Sequence, residues 1–449
     1  MKTIFYGLSL IALSIFNCSC RKLILINPPK NQLTPDKVFD NDSSVIAATA
    51  NMYLPLSTVD ASFVDPSGIY TDELITTNVD ATSAEFTNST LTVNDSKALS
   101  IWQNLYSCIY KSNSLIAGIL VSKSISDSTK NQCLGEAYFL RAYSHFMLTN
   151  IYGDVPLILT TSVNTNAIAA RTSSATVMKH VLSDLTTAVS LLSAQYPSSG
   201  DKVRANKWTA AGLLAKADLY SGNYIDAESQ CSSIINSGQY SLLSNLNQVF
   251  LANSDEAIFQ LWNANGYTTV NSVPASGKPT FQVASDLQNA FEPGDMRFSD
   301  WVNSATVSGK TYYYPFKYKQ RRPATGNAEE YTMYIRLGEI YLIRAEARAR
   351  EDILPGAASD LNTIRSRAGL GNTAATTQTD LLTAIVHERQ IELFNESGNR
   401  FFDLKRFGLI NTIMPAVKPL WKTTGDIFPI PQSEVLKDPY LTQNPGYLN

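Results

Sequence analysis

The sequence predicts a mostly α-helical chain: helix pairs stacked as a short solenoid, interrupted by long loops and small β-hairpin insertions. Three observations carry this. Apolar residues recur at helical spacing along several segments. Residues 207–240 read as two helices joined by a tight turn. The string Leu134-Gly135-Glu136-Ala137-Tyr138-Phe139-Leu140-Arg141-Ala142 returns as Leu337-Gly338-Glu339-Ile340-Tyr341-Leu342-Ile343-Arg344-Ala345, with Leu, Gly, Glu, Tyr, Arg and Ala at matching places.

The N-terminal residues give an address. Lys2 precedes an apolar run over 4–16, about 13 residues, which fits the ~7–15 residues of a secretory signal core and falls short of the ~20 that span a bilayer. Asn17-Cys18-Ser19-Cys20 follows. A lipoprotein signal peptidase needs a small residue before the cysteine, because the cleaved bond must enter a narrow site. Ser19 meets that need before Cys20; Asn17 meets it poorly before Cys18. Cys20 is therefore expected to be the first mature residue and to carry the lipid, although Asn17 stands where leucine is usual. Residues 1–19 read as the lipoprotein signal peptide and 20–36 as an extended tether, in which Pro28-Pro29 forbids helix. A single domain is expected over 37–449, with an N-terminal helical half at about 37–250 and a C-terminal half carrying the loop insertion at about 251–449.

The elements follow in order. A helical stretch after Pro35 ends near Tyr53. Residues 60–95 are polar, show no sustained period and read as long surface loops. Periodicity returns at Ala98, with Leu99, Trp102, Leu105, Tyr106 and Ile109 on one face. A helix over about 130–151 stops at Gly153, and another covers 176–192. Within 207–240, Trp208, Ala211, Gly212, Ala215 and Leu219 make a narrow face of mostly small residues, and Ser221-Gly222-Asn223 breaks the helix. Two helices in ~34 residues, crossing closely on small side chains, form a tetratricopeptide-like unit. Residues 255–322 differ: 257–262 read as a strand with Trp262 in the core, and 311–318 as an aromatic hairpin. A helix from Leu337 and its partner over 357–367 complete the echo, each pair burying its face on the next.

Composition narrows the function. The net charge is −3 and charged residues make up 17%, below the ~25% of ordinary soluble domains, which argues against electrostatic nucleic-acid binding. Tyrosine is frequent, at 22, among many Ser, Thr and Asn residues. Such a surface suits neutral, hydroxylated ligands. Beyond the leader, Cys108, Cys133 and Cys231 read as core residues rather than a disulfide framework, and one pairing among them is left open.

Five blocks, in order, resemble the SusD/RagB family of nutrient-binding outer-membrane lipoproteins. Glu136–Ala142, leading to Tyr152-Gly153-Asp154-Val155-Pro156, resembles its "RA…YGDVP" block. Arg336-Leu337-Gly338-Glu339-Ile340-Tyr341-Leu342-Ile343-Arg344-Ala345-Glu346-Ala347, followed by Leu361-Asn362-Thr363-Ile364-Arg365-Ser366-Arg367-Ala368-Gly369, is similar to "RLAEVYLIRAEA" and its sequel. The stretch from His387-Glu388-Arg389-Gln390-Ile391-Glu392-Leu393 to Arg400-Phe401-Phe402-Asp403-Leu404-Lys405-Arg406 resembles "ERRIELAFEGHRWFDLKR", with Asn395-Glu396-Ser397-Gly398-Asn399-Arg400 differing from its "FEGHR". Phe428-Pro429-Ile430-Pro431-Gln432-Ser433-Glu434 and Gln443-Asn444-Pro445-Gly446-Tyr447 resemble the terminal blocks. The resemblance implies a tetratricopeptide-like scaffold (SusD-like) with loop insertions. It also implies a surface-exposed, lipid-anchored protein of the outer membrane in Bacteroidota-type bacteria. Such proteins cap a SusC-like TonB-dependent transporter and hold oligosaccharide, or in some cases peptide, for import. The blocks themselves are structural, and family ligand contacts lie in variable loops.

The residues point to binding rather than catalysis. His145, His180 and His387 lack metal-ligand spacing, no GxSxG elbow occurs, and no cofactor or metal motif is present. Glu388, Glu392 and Glu396 have the spacing a surface glycosidase could use, but Arg389, Arg400 and Arg406 favour a structural ion-pair network. Arg141 and Arg344 read as ties between helices. Sugar binding needs aromatic faces beside hydrogen-bonding side chains. Two loop regions offer them: Asp72, Asn78, Asp80 and Phe86 in the first, Tyr267, Trp301, Tyr312 and Tyr313 in the second. Trp301 is expected to be exposed because Asp295, Arg297 and Asp300 precede it. The alternative is a peptide-binding or lid subunit of the same transporter type. The lipoprotein reading is checked by fractionation: Cys20→Ala is expected to leave the membrane fraction, and retention there would defeat it.

Overall fold

The computed structural model describes residues 35–77, 81–262, 277–320 and 329–447. Cys20, Asn78, Asp80 and Tyr267 lie outside them. The first long elements are helices α1 (Asp42–Asn51) and α2 (Leu54–Tyr70), followed by strand β1 (Leu74–Thr76) and helix α3 (Ala81–Asn88). The surface loops expected from residue 60 onward are thus largely helical. The reason is burial. Leu56, Val59, Phe63 and Tyr70 enter the core, and from Phe63 to Tyr70 every residue of α2 is buried. A helix buried all round has no amphipathic period to read. Its polar residues are satisfied locally: Ser67 Oγ donates to Val64 O at 2.8 Å and Thr71 Oγ1 to Ser67 O at 2.9 Å.

The helical frame follows as α4 (Ser96–Val121), α5 (Asp127–Tyr152), α6 (Ser174–Leu191), α7 (Lys207–Ser221) and α8 (Tyr224–Asn236). Consecutive members pack on one another in antiparallel stacks. Asp95 starts α4 by accepting from Ala98 N at 2.7 Å. Gly222, in the left-handed region at φ 79°, makes the turn between α7 and α8. The frame resumes as α10 (Leu337–Arg350), α11 (Leu354–Arg367), α12 (Gln378–Glu392) and α13 (Asn399–Arg406), with α10 seated on α8 and α7. Core residues from Val45 to Leu441 join one hydrophobic cluster, and a smaller one lies among α10, α11 and α12.

The sequence echo is a structural echo. Arg141 of α5 clasps Asp184 of α6 through two bonds of 2.8 and 2.7 Å, and Arg344 of α10 clasps Asp360 of α11 through bonds of 2.9 and 2.7 Å. Each arginine ties a helix to its successor by a bidentate fork. The echoed glycines sit at close approaches: a Cβ on Gly135 would lie 2.6 Å from Leu192 Cγ, and one on Gly338 would fall among Arg336, Glu256 and Glu392.

Between the two helical stretches the chain forms β2 (Ala257–Leu261), β3 (Phe281–Val283), helix α9 (Met296–Trp301), the hairpin β4 (Val302–Val307) with β5 (Lys310–Pro315), and β6 (Thr332–Arg336). Strand β2 pairs antiparallel with β6, and β1 with β3. The hairpin turns on Ser308 and Gly309, both with positive φ, as a two-residue hairpin loop demands.

A buried ion network holds this insertion to the frame. Arg336 donates to Glu256 (2.8 Å), Glu392 (2.6 Å) and Glu396 (2.7 Å); Arg297 donates to Asp295 (2.8 Å), Glu388 (2.5 Å) and Glu392 (3.0 Å); Arg367 pairs with Glu256 and Glu392. Burial opposes the charge on Glu392, yet the guanidinium groups of Arg367, Arg336 and Arg297 hold its carboxyl well below the usual range. The three glutamates at 388, 392 and 396 are thus structural, and Glu396 lies in the turn beyond α12 rather than on it. Cys108, Cys133 and Cys231 are free and buried, so no disulfide forms among them. Removing one partner of a buried ion network strands the others. Glu392→Gln is expected to lower the unfolding free energy by about 3–5 kcal/mol, read from the urea midpoint.

Candidate functional site

The two loop regions singled out in the sequence meet at one sheet edge. Beyond β1, Thr77 N donates to Thr280 O at 2.9 Å and Thr77 Oγ1 to Pro279 O at 3.1 Å, just before β3. Gly277, at φ +79°, brings its Cα beside Val307 of β4. Lys278 then reaches across to β5, its Nζ 5.3 Å from the ring centre of Tyr312, and Lys310 lies at the same distance. This edge therefore gathers Thr77 of the first region and two separate stretches of the second.

Strand parity sorts the tyrosines. Neighbours on a strand face opposite sides. Tyr313 turns onto Phe298 of α9, 5.4 Å between ring centres, and Tyr312, half-buried, faces the two lysines. Of the described residues expected to bind, Tyr312 and Tyr313 are both half-buried, and Tyr312 is the one at the edge, with the two ammonium groups over its ring. Trp262, read as core, is 57% exposed. All five residues of β2 are buried, and Trp262 is the first residue past the pairing with β6, so it escapes the cover that both faces of β2 receive. A run that is buried on both faces gives no alternation from which its end could be read.

Three expected ligand contacts are structural instead. Trp301 is fully buried: its Nε1 donates to Leu246 O at 3.0 Å, its ring meets Phe250 at 5.6 Å, and Lys317 Nζ lies 4.7 Å above it. Of the charged residues before it, Asp295 and Arg297 belong to the buried ion network rather than to a solvated surface, while Asp300 stays half-buried outside it. Phe86 is buried against Tyr70 and Phe428. Asp72 grips Arg400 through bonds of 2.8 and 2.6 Å, both side chains buried. It anchors the root of β1 to α13 and cannot face a ligand.

Glu73, next along, is a buried carboxyl. Its Oε2 accepts from Asn395 N at 3.4 Å and its backbone oxygen from Ala284 N at 2.8 Å, which fastens β1 to the start of the following helical turn. Burial first, and the neighbouring Asp72 second, push its pKa up to about 8. Of the histidines, His145 is buried in α5, with Nδ1 3.1 Å from Arg141 O, and burial lowers its pKa to about 3. No cluster of His, Cys, Asp and Glu suited to a metal ion occurs among the described residues.

Two family models match the chain. One, described as starch-binding and associating with the outer membrane, matches residues 31–219; the other, described as the SusD family, matches 296–426. The chain belongs to the SusD family. Among curated relatives, SusD-like protein P25 of Formosa agariphila is 22% identical over 96% of this chain and 98% of its own length. A SusD superfamily crystal structure from Bacteroides vulgatus superposes with a TM-score of 0.81 at 23% identity, over 91% of this chain and all of that one. A laminarin-binding SusD-like protein gives 0.74 at 22% identity, over 91% of this chain and all of that one. At such identity the structures establish the SusD fold. They place the helical frame of this SusD-family chain, and leave its loop edge to be argued from its own residues.

Glu73 yields a pH prediction. Its folded pKa is raised, so the stability tied to its protonated form is present below the unfolded value near 4.5 and is lost as pH rises toward 8. Glu73→Gln, which fixes the neutral form, is expected to melt above the wild type at pH 8 and level with it at pH 4; thermal scans at both values check this.

Proposed function

We propose that this chain is a cell-surface lipoprotein that captures oligosaccharide and passes it to a partner SusC-like TonB-dependent transporter. In this reading Cys20 carries the lipid at the outer membrane, residues 20–36 form the tether, and 37–449 form one binding domain. The observation that carries glycan capture is the loop edge: the half-buried ring of Tyr312 and the amine groups of Lys278 and Lys310, which lie over that ring, come together where both loop regions converge. Aromatic faces stack on the C–H faces of sugars, and ammonium groups donate to hydroxyls. The exposed indole of Trp262 adds a second aromatic surface to the insertion. The family description and the name of the laminarin-binding relative support the same ligand class. The reading is of a binding protein: Glu388, Glu392 and Glu396, the carboxylates with hydrolase-like spacing, are engaged by arginines.

The test is affinity electrophoresis of the full chain in mild detergent, through gels containing laminarin, starch, xylan or mannan. One polysaccharide is expected to retard the wild type, and Tyr312→Ala is expected to weaken that retardation by roughly tenfold, equivalent to ~1.4 kcal/mol. No retardation by any member would overturn glycan capture and turn the search to peptides.

A further inference from the structure

A groove about 460 Å³ in volume runs along α4, away from the loop edge in sequence. Three remote segments wall it: the outer face of α4, residues 156–167, and the C-terminal tail at 434–441. Pro156 and Glu434 each close one of the ordered blocks noted in the sequence, so two blocks with no part in the loop edge meet here.

One wall is aromatic. Trp102, Tyr106 and Tyr110 follow at i, i+4 and i+8 and climb one face of the helix. Trp102 is buried, with its ring centre 5.1 Å from Tyr152 and 4.9 Å from Tyr106. Tyr106 is locked in place, because its Oη donates to Pro156 O at 2.8 Å. Tyr110 ends the ladder and is 52% exposed. The facing rim is polar. Gln103 Nε2 donates to Glu434 Oε1 at 2.8 Å, and Lys437 Nζ donates to the same oxygen at 2.8 Å. An ammonium has three N–H donors, so Lys437 keeps two for a ligand.

Charge selects among ligands. Glu434, Lys437 and Asp438 sum to −1, so the rim holds no positive excess to draw an anion. Tyrosine faces opposite amide, carboxylate and ammonium groups fit a neutral sugar, with its C–H face on the rings and its hydroxyls on the rim. The volume lies within the ~300–1,000 Å³ of small-ligand sites. The fixed rings of Trp102 and Tyr106 limit the ordering that binding would require.

We propose that this groove is a second subsite for neutral oligosaccharide. The inference rests on the glycan-capture reading and extends it: two sites on one chain hold a long polysaccharide more tightly than either alone, because the second contact is intramolecular.

Tyr110→Ala tests it, since a half-exposed ring can be removed without opening the core; an unchanged melting temperature confirms that the variant folds. The full chain in mild detergent is run against laminarin, starch, xylan and mannan as wild type, Tyr110→Ala, Tyr312→Ala and the double variant. With the polysaccharide that retards the wild type, Tyr110→Ala is expected to lose on the order of fivefold in affinity, and the double variant more than either single. Unchanged retardation of Tyr110→Ala overturns the subsite, and impaired Tyr312→Ala in the same gel would leave glycan capture standing. Retained retardation together with loss of a co-purifying outer-membrane protein would make the groove a protein-docking surface, with exposed Val163 and Leu436 beside it, and overturns the subsite as well. Failure of every polysaccharide to retard the wild type overturns both readings.

Discussion

Glu392 is the carboxylate on which three guanidinium groups converge, from α9, β6 and α11. Arg297, Arg336 and Glu392 are buried and the Arg367 side chain is nearly so, so each depends on the others for most of its solvation. The geometry is therefore stiff: moving any one element leaves a buried charge without a partner. Arg336 ends β6 and stands immediately before α10, so the network fixes the point where the inserted strands rejoin the helical frame. Lys317 extends it, donating to Glu396 at 2.6 Å while its Nζ lies over the rings of Trp301 and Phe394.

The candidate ligand edge inherits that rigidity. Arg297 and Trp301 root α9, which leads directly into β4, and the short turn at Ser308 and Gly309 returns the chain as β5 with Tyr312 on its open side. On the opposite flank, Asp72 and Arg400 tie the start of β1 to α13. Buried ionic anchors thus flank the edge, Asp72 five residues before Thr77 and Lys317 five residues after Tyr312. The arrangement suits a binding protein that must present rings at fixed spacing while its loop tips vary.

The same separation explains why the frame is shared with structures only 20–23% identical while ligand contacts are not inferred from them. Helix-to-helix forks such as Arg141–Asp184 and Arg344–Asp360 require particular residues at particular spacings. A sugar-binding edge requires only an aromatic face and a few donors, which many sequences supply.

The helical frame, the repeat and the aromatic hairpin were legible in the sequence, because each follows from local spacing; the structural role of Glu388, Glu392 and Glu396 was legible too, but the arginines that hold them are the distant Arg297, Arg336, Arg365 and Arg367, while the neighbouring Arg389, Arg400 and Arg406 pair with Asp403, Asp72 and Glu346. Leu, Gly, Glu and Arg recurring in order mark two equivalent helices, and the amphipathic face of α4 is written in Trp102, Leu105 and Ile109. The SusD resemblance was legible for the same reason. Tertiary structure alone decided burial where polar and apolar residues alternate without period. It turned residues 63–70 into a buried stretch of helix, placed Trp301 under charged neighbours that pair with one another, drew Asp72 onto Arg400 across more than three hundred residues, and left Trp262 outside. A charge looks solvated in sequence; whether its partner lies in water or on a distant helix depends on chain packing that no local window contains.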